Sequence, residues 1–163
     1  MCGIIGYIGE ENAKSILING LKKLEYRGYD SAGISVVNNK SLITLRKKGR
    51  ISELEKCEDI NDLEGNRGIA HTRWATHGAP NELNAHPHVD CSGKISVVHN
   101  GIIENHSALK KVLEQEGHKI KSDTDSEIIV HLIEKFYSGS LEDAMAKTVK
   151  CLTGAFGLAA IHS

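Results

Sequence analysis

The residues most able to do chemistry stand at the start of the chain, in Met1-Cys2-Gly3-Ile4-Ile5-Gly6. A small second residue such as cysteine lets the initiator methionine be trimmed. The mature chain would then begin with a thiol and a free α-amine on one residue. The thiolate is the nucleophile of cysteine chemistry, and a free thiol ionises near pH ~8.5. An α-amine with a pKa of about 7.7–8.0 can take and return a proton near neutrality. Attacker and base can therefore be the same residue, as in enzymes with an N-terminal threonine. Position alone also fits a cysteine buried in a first strand as a small hydrophobe. A cysteine that attacks an amide further needs oxyanion donors and a substrate anchor. Asn100-Gly101 closes an apolar run and can offer a side-chain N–H and a backbone N–H to one oxygen. The same dipeptide is a strong hairpin-turn signal. Arg73, expected to open a long loop, can grip a carboxylate with two parallel hydrogen bonds or lie solvated. Asp125, expected in the first turn of a helix, can pair with an ammonium group or simply complement the helix dipole.

These residues need elements to hold them. The 163 residues, 40% hydrophobic and 25% charged, suffice for one domain with a real core. A formal net charge of −1 gives no reason to expect a nucleic-acid or anionic-membrane partner. No apolar run is long enough to span a bilayer, and the N-terminus lacks a secretory pattern. The four cysteines are far apart in sequence, as expected of reduced thiols in a cytoplasmic protein. The remaining three, Cys57, Cys91 and Cys151, are expected to pack as small hydrophobes. His86 and His88 near Cys91 raise a metal question, but their spacing matches no standard zinc pattern, so no metal and no cofactor are expected. The other histidines show no spacing that suggests a role.

Strands are expected at 3–9, 32–37, 42–47, 68–72, 94–99 and 154–161, from short apolar runs bounded by turn residues. Helical spacing covers 13–26, 51–57, 107–116, a segment capped by Asp123 or Thr124 with apolar positions at Ile128, Ile129, Leu132, Ile133 and Phe136, and 141–152. The stretches 58–67 and 73–91 read as irregular, the second holding both prolines. A long loop of that kind is often functional. Hairpins early and helices late favour an α+β sandwich over a βαβ series.

Six segments together resemble one family. They are CGIIGYIG at 2–9, LEYRGYDSAGI at 24–34, HTRWATHG at 71–78, NAHPH at 84–88, VHNGIIEN at 98–105 and SDTDSE at 122–127. In this order they resemble the glutaminase domain of the class II glutamine amidotransferases, within the N-terminal-nucleophile hydrolases. The 24–34 and 71–78 strings point to the hexosamine-forming branch. The amidophosphoribosyltransferase branch, or a catalytically silent relative, remains an alternative. The resemblance implies an αββα sandwich of two antiparallel sheets. It also implies that residues 1–163 are a truncated type 2 domain, incomplete at the C-terminus, with the sugar isomerase domains absent. It makes Cys2 the nucleophile with its own amine as base, provided Met1 is removed. Asn100 and Gly101 become the oxyanion hole, and Arg27 and Gly28 position the amine. Arg73 is implied to hold the α-carboxylate of glutamine and Asp125 its α-ammonium. Trp74, Thr76 and His77 are implied to line the pocket, and His86 to lie in a loop toward a sugar site. The implied partners are glutamine and, in a full-length homodimer, fructose 6-phosphate.

Overall fold

A computed structural model describes residues 2–39, 41–75 and 78–163. Among the described residues seven strands form two antiparallel sheets. The first holds β1 (Gly3–Ile8), β2 (Ser31–Asn38), β3 (Ser41–Lys48) and β4 (Arg67–Arg73), in the spatial order β1-β4-β2-β3. The second holds β5 (His88–Val89), β6 (Ile95–Gly101) and β7 (Phe156–His162), in that order. The helices are α1 (Ala13–Leu24), α2 (Ile51–Glu55), α3 (His106–Gln115), α4 (Glu127–Phe136) and α5 (Leu141–Cys151).

Three apolar layers fix the stacking. Leu17 and Leu21 of α1 and Leu54 of α2 pack on Ile34, Val36 and Ala70 of the first sheet. Ile129, Val130 and Ile133 of α4 pack with Ala144 of α5 on Ile95 and Val97 of the second. Between the sheets lie Val37, Ile69, Val98 and Ile161. The order is therefore helix, sheet, sheet, helix, which is the expected αββα sandwich. Strand β2 is covered on both faces, so it is buried along nearly its whole length. Its inter-sheet face cannot carry large side chains throughout. Ser35 bonds Ser96 across the sheets at 2.7 Å between hydroxyl oxygens. A Cβ on Gly33 would stand 2.1 Å from the His86 carbonyl oxygen.

Most boundaries fall where the sequence places them, with four differences that bear on the site. Arg73 ends β4 instead of opening a loop, because the strand keeps its pairing through Ser31↔Arg73. The stretch 58–67 contains a 3-10 turn at Glu58–Asp62, and 73–91 contains β5. Asn100-Gly101 is no hairpin turn: β6 runs through Gly101 and pairs it with Phe156. Helix α4 begins only at Glu127, after Ser126, so Asp125 precedes its first turn and neither Asp123 nor Thr124 is its cap.

Gly33→Val is expected to force the sheets apart at His86 and lower the unfolding free energy by about 1–3 kcal/mol. Gly6→Ala, where an added Cβ meets nothing within 4 Å, is expected to be neutral or to gain up to about 1 kcal/mol. Urea unfolding of both variants checks the contrast.

Candidate active site

The ends of β1, β4 and β6 meet at one cavity of about 480 Å³. Its walls include Cys2, Arg27, Arg73, Trp74, Asn100, Gly101 and Asp125, seven of the residues singled out from sequence. Cys2 precedes β1. Its sulfur accepts a hydrogen bond from the Trp74 backbone N–H at 3.2 Å and lies 3.6 Å from the Trp74 carbonyl oxygen. Asn100 reaches Cys2 from the second sheet, its side-chain amide donating to the Cys2 carbonyl at 3.1 Å.

The orientation of that amide follows from His71. The ring Nε2 of His71 lies 3.1 Å from the His99 carbonyl oxygen and 2.9 Å from Asn100 Oδ1. The carbonyl can only accept, so Nε2 carries the proton, and Asn100 must present its oxygen to His71 and its NH₂ to the Cys2 side. One amide N–H is then committed to Cys2, and a second remains for a ligand. Gly101 follows with φ +127°, and a Cβ there would stand 2.2 Å from the Ala155 carbonyl oxygen. Only glycine fits both demands.

The segment before β2 is fastened to the end of β4. Asp30 donates its backbone N–H to the Arg73 carbonyl at 3.0 Å, and its carboxylate accepts from the Ala75 N–H at 2.8 Å. Gly28 passes so close that a Cβ would stand 2.7 Å from the Arg73 carbonyl carbon. Its backbone is extended, so space and not conformation demands the glycine. Arg27 donates to the Tyr26 hydroxyl at 3.1 Å and lines the cavity. Trp74, 45% exposed, meets Tyr29 edge-on at 5.6 Å.

Arg73 is only 4% exposed. Burial draws its guanidinium below its ordinary value, while Cys2, Asp30 and Asp125 act in the opposite direction. Two of its contacts, to the carbonyls of Ala79 and Gly78, are long at 3.5 Å. Asp125 is 5% exposed and accepts the Ile103 backbone N–H at 2.7 Å through one oxygen. An arginine and a carboxylate thus share a wall of the cavity with the thiol. Thr76 and His77 lie outside the described residues, as does Met1.

His86 lies in the irregular segment before β5, as expected, and it lines the cavity. It is buried and its ring stacks on His71 with centroids 4.2 Å apart. Its Nδ1 accepts the His99 backbone N–H at 3.2 Å. His99 in turn pairs with the Ser126 hydroxyl at 2.7 Å, and His88 with the Thr124 hydroxyl at 3.0 Å. His71 and His99 line the cavity, and sequence spacing gave no sign of it. Their one legible signal is alternation: each lies two residues before a site residue, Arg73 or Gly101, on a strand.

A family model described as "Glutamine amidotransferase domain" matches residues 71–163. The chain belongs to that glutamine amidotransferase family. Among its relatives, glutamine–fructose-6-phosphate aminotransferase (isomerizing) of Thermococcus kodakarensis is 53% identical over 165 residues, covering all of this chain and 27% of the relative. The enzyme of the same name from Aquifex aeolicus is 53% identical over 161 residues, covering 99% of this chain and 27% of the relative. The chain thus spans about a quarter of the length of these curated relatives. Among solved structures, glutamine phosphoribosylpyrophosphate amidotransferase from B. subtilis superposes with a TM-score of 0.85 at 27% identity, over 99% of this chain and 35% of that one. These neighbours place the sandwich among the N-terminal-nucleophile amidotransferase folds.

The histidine row makes stability fall with acid. Burial lowers His71 to about 4 and His88 to about 3, and drives His86 well below its ordinary value, its histidine neighbours adding to the effect. All three are neutral in the folded chain near pH 7 and titrate near 6.5 when unfolded. Below pH ~6.5 the unfolded chain takes up protons that the folded chain refuses, so stability declines as pH falls. The decline continues toward pH 4 for His71 and pH 3 for His88, at up to about 1.4 kcal/mol per unit for each. Urea unfolding at pH 7.5 and 5.0 should show this loss, and His86→Gln should reduce the slope.

Proposed function

We propose that this chain is the glutamine-hydrolysing domain of an enzyme that makes glucosamine 6-phosphate. The observation that carries the reading is the meeting of Cys2, the Asn100 amide, Arg73 and Asp125 on one cavity. Glutamine has a carboxylate and an ammonium at one end and an amide at the other. Arg73 suits the carboxylate, Asp125 the ammonium, and the thiol then faces the amide.

In this mechanism Met1 has been removed and the Cys2 α-amine is free. The amine takes the thiol proton as sulfur attacks the side-chain amide carbon. A carbon–sulfur bond forms, and the carbonyl oxygen gains the negative charge. The Asn100 side-chain N–H and the Gly101 backbone N–H stabilise that oxyanion. The amine passes its proton to the leaving nitrogen, the carbon–nitrogen bond breaks, and ammonia departs. Water then cleaves the thioester to glutamate and restores the thiol. Arg27 and Gly28 hold the entry segment against Arg73 and Trp74, and so position the amine. Thr76 and His77 complete the glutamine pocket. His86 supports the pocket from beneath through His71 and His99.

In the full-length protein, a cytoplasmic homodimer, the ammonia reacts with fructose 6-phosphate. The 53% identity to two fructose-6-phosphate aminotransferases, against 27% to a phosphoribosyl enzyme, favours this acceptor. Among the described residues no helix is long and apolar enough to cross a membrane.

Cys2→Ala is expected to lower glutamine hydrolysis by the full-length protein by a factor of about 10³ or more. Undiminished turnover, or a mature chain that keeps Met1 on mass spectrometry, overturns the mechanism. Arg73→Lys and Asp125→Asn should raise the KM for glutamine about tenfold or more, with a smaller change in kcat. The asparagine can still accept the Ile103 N–H, so this variant tests the charge and not the local fold.

A further inference from the structure

Cys91, His118, His131 and Glu134 bring one sulfur, two imidazole nitrogens and a carboxylate oxygen within 4.8 Å of one another. They come from three parts of the chain: the connection from β5 to β6, the segment after α3, and one face of α4. None of them lines the Cys2 cavity. We propose that they form a binding site for a zinc-class divalent ion.

The distances suit a tetrahedral ion. Ligand bonds of about 2.0–2.3 Å place ligand atoms about 3.3–3.8 Å apart. Here Cys91 Sγ and His131 Nδ1 are 3.7 Å apart, His131 Nδ1 and Glu134 Oε2 3.3 Å, and His118 Nδ1 and Glu134 Oε2 2.9 Å. Of these three pairs only the last must open, by a few tenths of an ångström, and every other pair lies within 4.8 Å. A thiolate with two imidazoles selects zinc over magnesium or calcium. Four protein ligands fill the tetrahedron, so the site is structural and leaves no position for a substrate.

The surroundings supply a second, independent observation. The far nitrogen of His131, Nε2, is buried without a hydrogen bond and lies 3.6 Å from Glu127 Oε1. The Glu127 carboxylate is itself held by the backbone N–H groups of Lys121 and Ser122. On the ring's other side, His131 Nδ1 lies 3.3 Å from Glu134 Oε2. A neutral imidazole has one N–H for these two carboxylates, so one ring nitrogen turns a lone pair toward an anion. A metal ion at Nδ1, with the Nε2 proton turned toward Glu127, removes that conflict. Cys91 Sγ also accepts the Lys119 backbone N–H at 3.4 Å, as a thiolate ligand does. The sequence raised a metal question only for His86 and His88 near Cys91, and expected no metal; the cluster found here joins Cys91 to other residues. Those histidines point into the inter-sheet row, and Cys91 is an exposed residue instead of a packed hydrophobe.

The test is a titration of the metal-free full-length protein with zinc against a chromophoric chelator, and with cobalt read by absorbance. One equivalent of zinc should bind and raise the melting temperature. Cobalt should give tetrahedral visible bands and a sulfur-to-cobalt charge-transfer band. Cys91→Ser should abolish that band, and His118→Gln and Glu127→Gln should each weaken zinc binding about tenfold or more. Cys2→Ala should leave all signals in place. Binding well below one equivalent overturns the proposal, and leaves a protonated His131 as the cation that joins the cluster. Signals lost in Cys2→Ala but retained in Cys91→Ser also overturn it, and move the metal to the glutamine pocket.

Discussion

The side-chain amide of Asn100 joins the two sheets beside the Cys2 thiol. Its oxygen is claimed by His71 from the first sheet and its nitrogen by the Cys2 carbonyl. Because the His71 proton is already directed at the His99 carbonyl, the amide has one favourable orientation. The sulfur of Cys2 is fastened from another side by the Trp74 N–H. The thiol is therefore held from the end of β4, and the Asn100 amide is set by hydrogen bonds that cross from the second sheet to the first. Rigid strands hold such groups more closely than loops do.

That arrangement places unusual material between the sheets. A sandwich interior is ordinarily aliphatic, and Val37, Ile69, Val98 and Ile161 supply this at one end. At the other end the layer consists of imidazoles, with His86 stacked on His71 and close to His88. Buried polar rings are tolerable only when neutral and hydrogen-bonded. Ser126, Thr124 and the His99 backbone meet that need. Two ring nitrogens, His71 Nδ1 and His99 Nε2, are buried without a partner among the described residues. The layer trades some stability for a polar floor under the cavity, which an aliphatic core cannot supply.

Much of the fold was legible because it rests on periodicity. The stripe of Leu17 and Leu21 in α1, the isoleucines of α4 and the hairpin of β2 and β3 all follow from spacing and turn residues. The candidate site was legible only when the residue types were joined to the family resemblance, since the second-position cysteine, the Asn-Gly pair and Arg73 each have a common structural use. What failed was assignment at element ends. Asn-Gly read equally well as a turn, and pairing with β7 decided against it. Asp125 read as helical, yet its carboxylate is drawn away to the Ile103 N–H before α4 begins. Local preferences at such positions are worth less than one buried hydrogen bond, so tertiary contacts win.

By itself, the order of residues pointed to an α+β sandwich, and its resemblance to the class II amidotransferases added the αββα layering and a thiol just ahead of the first strand. The first follows from the spacing of apolar and turn residues, the second from matched strings of residues. Only the tertiary structure decided which histidines support the cavity, which way Asn100 faces, and that Cys91 meets His118, His131 and Glu134 instead of its sequence neighbours. Those outcomes depend on which strand lies beside which and on what each buried polar atom finds within hydrogen-bond reach. Neither quantity is encoded in the spacing of residues along a single segment.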